Sequence, residues 1–199
     1  MKKIITYAFI FMSFLAYAQR GVITFNIEKE YDIPAEKIWD VIAGEFGDIA
    51  YSHPKIVKSS YIGSSYRAEV GAERISNFNA EGTKYLKERI TSYDEDDMTF
   101  TNALYQAKSF PLNTDHTEAT YKVEDLGNGR SKLVIDMQFK TVPAFVGAMV
   151  KDKFKNSMRD YMIAIQHHAS TGERVTQKNF KRIKKQYSYL YVGEYTSQI

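Results

Sequence analysis

Ile23, Phe25, Ile27, Tyr31 and Ile33 all fall on odd positions of the stretch 22–33. That period of two predicts a strand with one buried face. Pro34 follows where a first helical turn tolerates it. Ile38, Trp39, Val41 and Ile42 then form the apolar stripe of a short helix that Gly44 ends. Residues 46–51 give a second short helix, closed before Pro54 because the residue preceding a proline is biased away from helical backbone. From 56 to 142 the chain reads as six strands, 56–62, 72–78, 84–93, 98–105, 114–124 and 132–141. The acidic run Asp94-Glu95-Asp96-Asp97 turns between two of them, and Asn128-Gly129 suits the tight hairpin between the last two. After Pro143 only Gly147 interrupts a helix over 144–169, with Val150, Phe154, Met158, Tyr161 and Ile165 recurring every three or four residues. At 1.5 Å per residue such a helix is about 40 Å long, enough to cross a whole domain. The order predicts an α+β domain in which two short helices plug the space between the first strand and the rest of the sheet.

The two ends read differently. Lys2 and Lys3 precede a mostly apolar run over 4–17, and Ala16-Tyr17-Ala18 has the small-x-small pattern of a signal-peptidase site. The run is shorter than the roughly 18–20 apolar residues of a spanning helix. It predicts an exported protein whose mature chain starts at Gln19, with a retained membrane anchor as the alternative. No cysteine follows the run, and the absence of any cysteine from the chain excludes disulfides and thiol chemistry. Removing Lys2 and Lys3 takes the formal charge from +3 to +1. Residues 173–199 hold six Lys/Arg and two Asp/Glu, a net +4, so the body over 19–172 is −3 and offers no broad footprint for nucleic acid. The organisation is thus a leader over 1–18, one domain over 19–172 and a basic aromatic tail over 173–199. In the tail, Phe180, Ile183, Tyr187 and Leu190 are interleaved with Lys181, Arg182, Lys184 and Lys185. This pattern suits a basic amphipathic helix over 178–191 that touches an anionic membrane surface, or a tail docked on the acidic body or left disordered.

Several residue patterns bear on chemistry. On the 84–93 strand Leu86, Glu88 and Ile90 share one face, so burying the two apolar residues turns Glu88 inward as well. A carboxylate there needs a partner, and Arg74 on the neighbouring strand is the obvious counter-charge, unless the register turns Arg74 to water. The pair would then either orient the polar end of a ligand or act as a structural cross-strand bridge. His116 and Glu118 share a face of the 114–124 strand, but two ligands do not make a metal site. His167 and His168 lie about 100° apart on a helix and cannot chelate together. No HExxH or GxSxG pattern occurs, and the glycines at 127 and 129 open no helix, so no metal, cofactor or phosphate loop is expected. Trp39, the single tryptophan, is expected in the core.

The stretches "IPAEKIWDVIAGEFGDIAYSHPKI", "VGAERI" at 70–75, "LKERITSYDEDDMTF" at 86–100, "SFPL" at 109–112 and the helix after Pro143 resemble one family. It is the SRPBCC superfamily, helix-grip proteins related to START lipid-transfer domains and the major pollen allergens, within its polyketide cyclase/dehydrase and lipid-transport branch. The resemblance covers about residues 22–171. It implies a helix-grip fold, a curved antiparallel sheet of about seven strands wrapped around the C-terminal helix, with an apolar cavity closed at one end by the two short helices. It also places Tyr51 and His53 at the cavity mouth, as donors to a ligand headgroup or as surface residues ending a helix. Tyr105, Phe110, Tyr121, Phe145 and Met149 become lining for an apolar ligand, or ordinary core. The function implied is binding or transfer of a hydrophobic small molecule. The alternative is a cyclase or hydrolase with Glu88 or His53 as its proton-transfer group.

Overall fold

The computed structural model describes residues 21–187; the expected leader over 1–18 and the end of the basic segment, 188–191, lie outside them. Seven strands form one antiparallel sheet: β1 (Val22–Tyr31), β2 (Lys58–Tyr61), β3 (Glu73–Asn77), β4 (Tyr85–Asp94), β5 (Thr99–Lys108), β6 (Glu118–Gly127) and β7 (Arg130–Lys140). Their order is β1-β7-β6-β5-β4-β3-β2, a meander whose last strand returns to pair with the first. A long helix, α2 (Phe145–Thr171), lies in the curve of the sheet. Between β1 and β2 stand α1 (Ala35–Trp39), widened through a π turn at Asp40–Gly44, and a 3-10 helix over Phe46–Tyr51. A third helix, α3 (Phe180–Tyr187), follows α2. This is the predicted helix-grip architecture with its two short plug helices. Among the described residues no helix is long and apolar enough to cross a membrane.

The strand predicted over 114–124 starts late. The Asn113 side chain accepts from the Asp115 backbone N–H at 3.0 Å and the Thr117 hydroxyl donates to the Asn113 carbonyl at 2.7 Å. These local bonds wind Thr114–His116 into a 3-10 turn before β6 begins at Glu118. His116 therefore does not share a strand face with Glu118.

Aromatic rings fill the interior in a connected series. Phe100 stacks on Tyr121 at 4.8 Å, and Phe46 and Trp39 lie 6.0 and 5.9 Å from Phe100. Phe154 of α2 meets Phe25 and Phe139 edge-on. Trp39 is buried, as expected. The plug is pressed hard against β2: a Cβ on Gly47 would stand 2.2 Å from the Tyr61 ring, so only glycine fits there. Gly172, at φ 70°, ends α2 in the left-handed conformation and returns its N–H to the His168 carbonyl at 2.8 Å.

A buried polar cluster on the inner face of the sheet

The register sets Arg74 of β3 opposite Glu88 of β4, and Glu88 opposite Leu104 of β5. Leu104 and Arg74 are both buried, so this row faces inward. Arg74 Nε donates to Glu88 Oε2 at 2.8 Å, and Asn102 Nδ2 donates to Glu88 Oε1 at 2.6 Å. A second guanidinium nitrogen, Nη1, donates to the Phe46 carbonyl at 3.2 Å, and the guanidinium lies 4.2 Å over the Phe46 ring. The plug thus holds the cation from one side and the sheet holds it from the other. Burial presses Arg74 toward its neutral form, but the charge and hydrogen bond of Glu88 more than offset this and leave its pKa raised. The Arg74 side chain is 3% exposed and that of Glu88 is 18%, so the open side of the pair is the carboxylate.

His53 is the neighbour that the charge affects most. It is buried, its ring 4.8 Å from that of Tyr161 and 6.3 Å from that of Phe78. Burial, together with the charges of Arg74 and Lys55, pushes its pKa down to about 3. The imidazole is neutral, and its Nδ1 accepts from the Lys55 N–H at 3.1 Å, which places the remaining proton on Nε2. Burial likewise holds the Tyr121 phenol up and that of Tyr161 at about 12. Two polar atoms beside the pair have no protein partner, Asn102 Oδ1 and Ser76 Oγ. Asn102 is paired with Ile90 across β4, and Ser76 sits two residues from Arg74 on the same side of β3. The residues are 2% and 1% exposed. Buried polar atoms without partners are uncommon. A shallow depression of about 360 Å³ lies elsewhere, between β1, β6 and β7, lined by Thr24, Asn26, Thr120, Asp136 and Gln138. It touches none of these groups.

The family model for polyketide cyclase / dehydrase and lipid transport matches residues 22–165. The chain belongs to this family. The fold is shared with Ara h 8.0201 (TM-score 0.61, 19% identity, 75% of this chain and 99% of that one). It is shared also with norcoclaurine synthase from Thalictrum flavum in complex with dopamine and hydroxybenzaldehyde (0.52, 17%, 73% and 85%). A third solved structure with this fold is the di-domain ARO/CYC BexL from the BE-7585A biosynthetic pathway (0.59, 14%, 74% and 46%). No curated protein sequence matches the chain. Solved structures that share the fold thus include a synthase, and the fold alone does not distinguish binding from catalysis.

Of the residues singled out from sequence, the fold brings together Arg74, Glu88, His53 and Tyr121. It disperses the others. Tyr51 is 42% exposed, stacked under the Arg174 guanidinium at 5.1 Å, and its carbonyl accepts from Val175 N at 2.7 Å. It anchors the segment after α2. Tyr105 faces the outer side of the sheet, where its hydroxyl donates to Glu73 at 2.8 Å. Alternation with the buried Phe100, Asn102 and Leu104 turns it away from the interior, and a register shift leaves it without a partner on β4. Phe110 is half-buried, 4.9 Å from Phe78 and under Lys84 at 4.8 Å. Phe145 and Met149 are 69% and 77% exposed and line no interior. Ser76, Asn102 and Tyr161 were missed. Asn102 was readable, as a polar residue between Phe100 and Leu104 on an otherwise apolar face.

His167 and His168 meet different carboxylates, as their angular separation requires. His167 Nε2 lies 2.8 Å from Glu173, and His168 Nε2 lies 3.0 Å from Glu45. Among the described residues no group of three or more His, Cys, Asp or Glu could hold a metal ion.

Proposed function

We propose that the protein is an exported, non-catalytic binding or transfer protein for a hydrophobic small molecule, lipid or polyketide-like. Its ligand lies between the sheet and α2, with its polar end on the Arg74–Glu88–Asn102 cluster. What carries this reading is the pair of unpartnered acceptors, Asn102 Oδ1 and Ser76 Oγ, beside a buried ion pair. Hydrophobic residues of the same volume are often as stable as a buried pair, so its presence here is better explained by recognition than by stability. Glu88 already neutralises Arg74, so the cluster suits a neutral donor such as a hydroxyl better than a second anion. An enzyme using the same space needs a proton-transfer group near working pH. His53, held near 3, is ill suited, and both oxygens of Glu88 are occupied by donors. Export rests on the leader pattern over 2–18.

Native mass spectrometry of protein purified from its own envelope identifies the ligand; repeated recovery of empty protein counts against the reading. Glu88→Gln separates recognition from structure. With Glu88 18% exposed, its loss should cost less than the roughly 3–5 kcal/mol of breaking a fully buried pair. Affinity for an apolar fluorescent probe bearing a hydroxyl should fall about tenfold or more. A large drop in melting temperature with affinity intact among folded molecules would make the pair structural only.

A further inference from the structure

We propose that the tip built from Val142, Phe145 and Met149 is the surface by which this protein seats itself on an anionic lipid bilayer. The three side chains are 61%, 69% and 77% exposed, the last two by far the most exposed apolar residues of α2. Phe145 and Met149 are four residues apart and share one face of the helix. The opposite face is fixed: a Cβ on Gly147 would stand 2.7 Å from Ile23 of β1, so the helix lies flush on the sheet there and cannot roll its apolar residues inward. The loop before it is equally fixed, since Val142 N donates to the Pro111 carbonyl at 2.9 Å and Thr141 bridges to Leu112. The tip is thus a rigid apolar projection.

Charge identifies its partner. Residues 140–155 carry Lys140, Lys151, Lys153 and Lys155 against the single acid Asp152, in a body that is otherwise acidic. Lys151 and Lys153 are exposed, within about one turn of Met149. Exposed apolar side chains followed by a lysine-rich turn fit an interface where the former enter the acyl boundary and the latter meets anionic headgroups. In the described part of the other basic segment Ile183 is fully buried, and Phe180 and Tyr187 pack on the same cluster with Ile163, Ala164 and Val175. The membrane contact proposed here sits at the tip; Leu190 and the rest of 188–191 lie outside the described residues. This inference is independent of the ligand cluster.

Sedimentation with phosphatidylcholine vesicles, with and without phosphatidylglycerol, tests it on the chain as the cell produces it, every variant carrying the same N-terminus. The wild type should bind the phosphatidylglycerol vesicles, more weakly as salt is raised. The double substitution Phe145→Glu, Met149→Glu should lower the partition coefficient about tenfold or more, with circular dichroism and melting unchanged. Lys178→Glu with Lys181→Glu should leave it unchanged. Three results would overturn the proposal: no vesicle binding by the wild type, binding that survives the tip substitutions, or a tip-dependent dimer in ultracentrifugation that vesicles do not compete away.

Discussion

Replacing His53 by glutamine should make the protein markedly less sensitive to acid. His53 is 8% exposed and hemmed in by Tyr161 and Phe78, with the cations Arg74 and Lys55 nearby. In the unfolded chain it protonates near 6.5; in the fold it resists protonation until about 3. Because the folded pKa is depressed, the stability it confers is complete above 6.5 and is lost as pH falls toward 3. The gap of about 3.5 units corresponds to about 5 kcal/mol over the whole window, at 1.36 kcal/mol per unit. By pH 4, some 2.5 units below 6.5, about 3 kcal/mol of this is gone, a large fraction of the net stability of an ordinary domain.

The assay is urea denaturation of wild type and His53→Gln at intervals from pH 7.5 to pH 4. Glutamine keeps an acceptor for the Lys55 N–H but cannot titrate. Glu173 also loses its charge in acid, from a carboxyl that the His167 and Arg182 hydrogen bonds hold down at about 2, but it does so in both proteins and cancels in the difference. The two stability curves should run parallel above pH 7 and converge by about 3 kcal/mol at pH 4. A constant difference across the range, or a His53 ring resonance titrating near 6.5, would refute the buried neutral histidine.

Two further outcomes are expected. Ile183→Ala, at a position with no exposure in the cluster with Ile163, Ala164 and Val175, should cost about 2–4 kcal/mol and raise amide exchange across α3; unaltered exchange would mean that α3 contributes nothing to the fold. Intact mass of the protein from the envelope fraction should correspond to a chain starting at Gln19, and a membrane-bound product retaining Met1 would sink the export proposal.

The sheet and its inward pair were legible because both depend on periods the sequence carries openly. Leu86, Glu88 and Ile90 alternate with Lys87 and Arg89, and no register that buries the leucine can keep the glutamate out. What was not legible arose where a period is interrupted. Tyr105 lies outward by the same alternation that buries Phe100 and Leu104, but the register shift that sets Gln106 opposite Lys87 cannot be seen in "NALYQAK". Asn113 pulls Thr114–His116 out of β6 through hydrogen bonds that strand propensity ignores. Phe145 and Met149 are a different case, since the information was present. Met149 precedes Val150 of the buried stripe by one residue, about 100° around the helix, and Phe145 precedes it by five, about 140° away. Both had to face outward once that stripe faced in.

The same helical arithmetic orders the functional surfaces along α2. Met149 to Tyr161 is twelve residues, about 18 Å, and Tyr161 to His168 is about 10 Å more. At the far end both ring nitrogens of His168 face acceptors, Nδ1 the Glu173 carbonyl at 3.0 Å and Nε2 the Glu45 carboxylate at 3.0 Å. Only an imidazolium donates from both positions, and the Glu45 hydrogen bond accordingly raises its pKa. The plug, the end of α2 and the segment leading to α3 are thereby joined through one charged side chain, which closes that end of the molecule. The first turns of α2 have no such clasp. There the helix meets the sheet through Gly147 and presents apolar side chains to solvent. A helix clasped at one end and bare at the other sets its exposed apolar residues about 18 Å from Tyr161, and on the reading proposed here those residues face the bilayer.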